Sequence, residues 1–175
     1  MRMRNLLASL VVIAVPSAAF PGDATPPPPC ADTAHAQFDF WIGEWEVTTP
    51  DGKPAGTSRV EKILDGCVVF ENWKSAAAGY EGKSFNTYDA LSGKWNQVWV
   101  DTTGATLRFS GALTGNSMDM SGTQATTEGT LLHRMSFTHN PDGTVTQLWR
   151  QSRDGKEWET LFDGLYRRKD VDGSR

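Results

Sequence analysis

From about residue 40 onward, apolar and polar side chains alternate at every second position in short runs, the period of a half-buried strand. The run 106–114 sets Leu107, Phe109 and Leu113 against Arg108 and Ser110, and 117–123 sets Met118 and Met120 against Asp119 and Ser121. In 130–139, Leu131, His133, Met135, Phe137 and His139 oppose Arg134, Ser136 and Thr138; in 158–168, Trp158, Phe162 and Tyr166 share one face. Turn signals separate the runs: Asp51-Gly52, Asp65-Gly66, Ser92-Gly93, Thr103-Gly104, Thr114-Gly115-Asn116, Pro141-Asp142-Gly143 and Asp154-Gly155. About ten antiparallel strands are predicted, over 40–48, 57–64, 67–75, 82–89, 94–101, 106–114, 117–123, 130–139, 144–152 and 158–168. The only helical expectation is a single turn around Ala34-His35-Ala36-Gln37.

Such strands fit a sandwich or a closed barrel. Hairpin follows hairpin with no long crossover to make a Greek key. That favours an all-β, up-and-down antiparallel barrel, which also removes exposed edges. A glycine inside the last run, at Asp163-Gly164, predicts a bulge or bend there.

The stretch Phe38 to Val47 anchors the pattern. On a strand over 40–48, Trp41, Gly43, Trp45 and Val47 fall on one face. A glycine two residues before a buried indole lets a backbone or a long side chain lie on the ring. This Gly43-x-Trp45 opening resembles that of lipocalin-like barrels. Further landmarks are Gly66-Cys67, Glu71-Asn72-Trp73, Ser84-Phe85-Asn86-x-Tyr88, Trp95-x-Gln97-x-Trp99-x-Asp101 and Phe162-Asp163-Gly164-x-Tyr166. With them, most of the mature chain resembles an uncharacterised bacterial secreted family, a domain of unknown function with a lipocalin-like barrel. The resemblance implies the fold and brings no catalytic residue. In barrels that open this way the indole closes one end, and an arginine of the last strand lies across it. Parity groups Arg168 with Tyr166 and Phe162, so Arg168 is expected on Trp45.

Residues 1–19 read as a secretory signal: Arg2 and Arg4, an apolar run from Leu6 to Val15, then Ser17-Ala18-Ala19 for cleavage, with Ala24 a second candidate. The apolar run is too short for a spanning helix, so no stable membrane anchor is expected after cleavage. Residues 20–29 form a proline-rich leader, extended and solvated. The barrel domain is expected over 30–170, with 171–175 a disordered tail. Losing the two leader arginines moves the formal charge from −4 to −6. That argues against nucleic acid and anionic membrane as partners. A monomer in the periplasm or outside the cell is expected. Cys30 and Cys67 are expected to pair there rather than stay free, clamping the leader to the barrel end.

Three strands share a polar-x-Trp pattern: Glu71-x-Trp73, Gln97-x-Trp99 and Gln147-x-Trp149. On an inward face these make a mostly apolar pocket with a few convergent polar groups, the usual composition of a ligand site. The expected binding residues are Glu71, Trp73, Tyr88, Gln97, Trp99, His133, Gln147 and Trp149, and the expected partner is a small molecule. Two alternatives stand beside this reading. One is a filled barrel serving as a protein-interaction module through the loops Ser75–Glu81 and Gln124–Gly129; the other is a haem-binding or enzymatic barrel using His133 or Glu71. Against haem, the glycine-rich motif of nitrobindin-type barrels is missing after Trp45, where Glu46-Val47-Thr48-Thr49 follows. No cofactor, metal site or catalytic residue is expected, since neither a Gly-x-Ser-x-Gly elbow nor a His-Glu-x-x-His pair occurs. Nor does Tyr166-Arg167-Arg168 reproduce the Arg-x-Tyr carboxylate clamp of fatty-acid-binding barrels.

Overall fold

The alternating runs pair hairpin to hairpin into one closed ring. The computed structural model describes residues 28–169 and is all-β. Its strands are β1 (Gly43–Thr48), β2 (Pro54–Ile63), β3 (Val68–Ser75), β4 (Glu81–Asp89), β5 (Lys94–Asp101), β6 (Thr106–Thr114), β7 (Ser117–Thr126), β8 (Gly129–His139), β9 (Val145–Ser152) and β10 (Glu159–Arg168). Each pairs antiparallel with the next, and β10 returns to β1, so this is an up-and-down barrel of ten strands without a free edge. The predicted signal, most of the leader and the tail lie outside the described residues. Apolar side chains make up most of the inside, and Arg59, Lys83, Arg108, Asp119 and Arg134 stand on the outside, the reverse of a lipid-facing barrel.

The two ends differ. At one, residues ahead of β1 fold in as a plug, ending in a single 3-10 turn, Asp39–Trp41. Trp41 therefore belongs to this turn and not to the first strand, and β1 starts at Gly43. The helical turn expected at Ala34–Gln37 is a run of tight turns. Phe38 and Trp41 are fully buried. Phe38 packs against Trp95 and Phe137, and Trp41 against Phe137 and Tyr166. Polar ties hold the plug in place. The Trp95 indole donates to Gln37 Oε1 at 3.1 Å, Lys62 pairs with Asp39 at 2.7 Å, and Cys30 is disulfide-bonded to Cys67 in the β2–β3 connection.

Trp45 seals the same end. Its indole N–H donates to the Trp41 carbonyl at 2.9 Å. Arg168 stands opposite it in the β1–β10 register, with its guanidinium 4.5 Å above the ring and a bond to the Ile42 carbonyl at 2.9 Å. Gly43 makes room for this arrangement. Its φ of 151° disfavours a side chain, and a Cβ there would come within 2.3 Å of Arg168 Nη1.

Two expectations about β10 are corrected. Its irregularity falls between Thr160 and Phe162, while Gly164 stays in register opposite Gln147. That extra residue swaps the faces upstream of it, so Trp158 lies outside the barrel beneath Arg134, 4.2 Å away. His139 is likewise exposed at the end of β8, stacked on Phe40.

Candidate functional site

The end opposite the plug is open. Here the connections β1–β2, β3–β4, β5–β6, β7–β8 and β9–β10 surround a cavity of about 300 Å³ inside the barrel. All three polar-x-Trp pairs point into it: Glu71 and Trp73 from β3, Gln97 and Trp99 from β5, Gln147 and Trp149 from β9. Between the indoles lie Met135, Phe162 and Tyr166, with Ala55, Ser75, Tyr80 and Leu161 towards the mouth. Trp73 and Trp99 lie on glycines of a neighbouring strand. A Cβ on Gly56 would approach the Trp73 ring to 2.8 Å, and one on Gly82 would reach the Trp99 ring at 2.2 Å.

The floor is a chain of polar groups on β2 to β5. Glu71 is 3% exposed. Ser58 Oγ donates to Glu71 Oε1 at 2.9 Å and Ser84 Oγ donates to Oε2 at 3.0 Å. Asn86 Nδ2 donates to Ser84 Oγ at 3.0 Å and to the Val69 carbonyl at 2.9 Å, and Gln97 Nε2 donates to Asn86 Oδ1 at 2.8 Å. Ser58, Ser84 and Asn86 went unnoticed in the sequence as site residues. Their signal is polar side chains at the inward parity of β2 and β4, where an apolar face would be expected.

Burial pushes Glu71 up to about 7, against the pull of the two hydroxyls, because no cation accompanies it. Across the cavity, the Tyr166 hydroxyl donates to Gln147 Oε1 at 2.5 Å, and Gln147 Nε2 donates to Met135 Sδ at 3.4 Å. Burial and then the Glu71 charge push Tyr166 well above the usual phenol range, so it stays a neutral donor. At the mouth, Asp101 Oδ2 accepts from the Trp99 indole at 2.9 Å and from the Tyr80 hydroxyl at 3.3 Å. Desolvation would raise Asp101, but hydrogen bonds from Thr103, Trp99 and Tyr80 hold it below the usual carboxylate range. Tyr80 is pushed up to about 12 by burial and by the Asp101 charge.

Two of the expected ligand residues stand apart from the cavity. Tyr88 lies at the plugged end, edge-on to His35 and tilted against Trp95. His133 lies behind the wall, where the Trp149 indole donates to Nδ1 at 3.2 Å and Nε2 meets Gln124 Oε1 at 3.3 Å. An indole only donates, so Nδ1 is bare and the proton sits on Nε2. Burial lowers the His133 pKa, in keeping with this neutral ring. With both nitrogens engaged, His133 has no lone pair to offer an axial haem site. Among the described residues no three His, Cys, Asp or Glu side chains gather where an ion could sit.

These features define a class: a closed ten-stranded barrel, plugged at one end and opening at the other into an aromatic cavity with an acidic floor. No protein-family model matches the chain, and no curated protein matches it.

Proposed function

We propose that this chain is a non-catalytic binding barrel of the periplasm or the cell exterior, taking a small, partly apolar ligand through its open end. The observation that carries this reading is the cavity itself. Its volume of about 300 Å³ lies at the lower edge of the range for small-molecule sites, and three indoles with Glu71, Gln97 and Gln147 give it the usual composition of one. Where the alternative of a filled barrel requires side chains throughout, only the plugged half is filled. The signal-like start and the Cys30–Cys67 bond support an oxidising compartment. Kinship with the secreted lipocalin-like family of unknown function is part of the same proposal.

Titration with 1-naphthylamine, a small neutral apolar fluorophore that matches the cavity volume, tests it through energy transfer from the cavity tryptophans. Saturable one-site binding is expected, and Ala55→Trp at the mouth should abolish it without lowering the melting temperature. Binding that never saturates, or that Ala55→Trp leaves intact, would refute the cavity as the site.

A further inference from the structure

We propose that the ligand is a compact organic cation, a quaternary or protonated amine, held between the indoles of Trp73, Trp99 and Trp149 with the Glu71 carboxylate as its counter-charge. This rests on reading the cavity as a ligand site, and four observations lead to it.

The first is the kind of surface the walls present. The Trp99 N–H is given to Asp101 and the Trp149 N–H to His133. The Tyr80 and Tyr166 hydroxyls are given to Asp101 and Gln147. With these four donors committed inside the protein, Trp99 and Trp149 have no N–H left for a ligand and can meet it only with their electron-rich rings. The faces of such rings attract a cation within about 6 Å of the ring centroid.

The second is the carboxylate. A buried acid normally has a cation or several backbone N–H groups for company. Glu71 has two hydroxyls, one on each oxygen, which leaves it lone pairs to spare. No lysine, arginine or histidine lines the cavity. An entering cation would therefore be the first positive charge Glu71 meets.

The third is the remainder of the field. Asp101 at the mouth adds a second negative charge beside Trp99 and Tyr80. The groups around Glu71 from the packed strands are Ser58 on β2, Ser84 on β4, Gln97 on β5, Gln147 on β9 and Tyr166 on β10; none carries positive charge. His133 on β8 is neutral and shielded by Trp149. A ligand carboxylate or phosphate would meet Glu71 and Asp101 with nothing to offset them.

The fourth is size. The cavity has room for about ten waters at liquid density, which suits a cation of roughly ten non-hydrogen atoms or fewer.

Choline and its uncharged carbon isostere 3,3-dimethylbutan-1-ol separate charge from shape, and the charge of choline does not titrate. Both are measured by displacement of 1-naphthylamine and by calorimetry. Choline is expected to bind at least about tenfold tighter than the alcohol at pH 8, and the preference should shrink severalfold in Glu71→Gln, which keeps the rings and Asp101. At pH 6.5, where Glu71 still holds most of its proton, choline entry should release protons, seen as a heat that depends on the ionisation enthalpy of the buffer. The alcohol should release none. The proton count is taken on the unaltered protein, so it decides the question even if Glu71→Gln fails to fold. If the naphthylamine binds but the alcohol binds as well as choline, or choline releases no proton, the cation is wrong and the cavity reading stands. If neither the naphthylamine nor choline binds, both readings fall.

Discussion

Glu71 should make the stability of the ligand-free barrel fall as pH rises, the reverse of what most carboxylates do. Its carboxyl has an ordinary value of 4.5 and a folded value of about 7. Below 4.5 the folded and unfolded chains both hold the proton, and the group's contribution is at its most favourable. Between 4.5 and about 7 the unfolded chain ionises while the folded chain keeps its proton, so stability drains away; above about 7 both are ionised and the loss is complete. At about 1.4 kcal/mol for each pH step separating the two values, the full loss is about 3 kcal/mol. For a domain of this size that corresponds to about 10 °C in melting temperature.

Glu71→Gln removes the proton and keeps the shape, with an amide that still accepts from one serine and donates to the other. Urea melts of the two proteins from pH 4 to pH 8 isolate the effect as a difference. The exposed aspartates whose pKa is lowered, such as Asp89 and Asp142, lose their stabilisation only as pH falls through values below 3.8, and they are common to both proteins. His133, whose pKa burial lowers, cancels in the same way. The variant should be close to wild type at pH 4 and more stable than it by about 3 kcal/mol at pH 8. Profiles that stay parallel within about 0.5 kcal/mol across this window would mean that Glu71 is ionised and hydrated in the fold. The account of the cavity floor as dry would then be refuted.

Two further predictions concern the plugged end. Trp45→Ala should cost about 3–5 kcal/mol, because the ring is fully buried, whereas Arg168→Ala should cost about 0.5–2 kcal/mol; neither should change probe binding at the other end, and a Trp45→Ala melt matching wild type would refute the seal. Opening the Cys30–Cys67 bond, which spans a sequence separation of 37, should cost about 4 kcal/mol in thermal or urea melts. Intact mass without reductant should show a deficit of two hydrogens, and alkylation of both thiols in the native protein would refute the bond.

The barrel was legible in the sequence because its turns are chemically distinct and its strands alternate cleanly. On β6, β7 and β8 a single apolar phase leaves no doubt about which side is inside, and Leu107, Met118 and Phe137 are all buried there. The polar-x-Trp pairs were legible too, since a glutamine or glutamate beside an indole at the same parity is a pattern that repeats. Harder to see was β4, where hydropathy points the wrong way. Phe85 faces out and pairs with Phe70 across the strands at 4.8 Å, while Ser84 and Asn86 face in. Nothing local tells a strand to bury its polar side; the reason lies on β3, where Glu71 needs donors. Trp158 was lost for another reason. A one-residue irregularity reverses parity, and no glycine marks it, since Leu161 occupies the position. Tyr88 and His133 share a face with the cavity residues, but a face does not specify depth along the barrel axis. Depth puts Tyr88 against the plug and His133 behind Trp149.

Why the cavity exists at all follows from the strand count. About eight strands enclose an interior that side chains can just fill, and the diameter grows with each strand added. Ten strands therefore leave a surplus of volume. At one end the chain disposes of it by folding Phe38 and Trp41 inward from outside the sheet and pinning them with Trp45, Arg168 and the disulfide. At the other end no such segment enters among the described residues. Large aromatic rings reach across instead, and two of them lie on glycines, which draws Trp73 and Trp99 back against the wall and away from the axis. Filling the space by exchanging Gly56 or Gly82 for larger residues would push the rings inward and close the site. The glycines thus hold the cavity open in the same way that the plug closes the opposite end. The rings drawn back around Glu71 are a consequence of that arrangement, and they line the space proposed for a ligand.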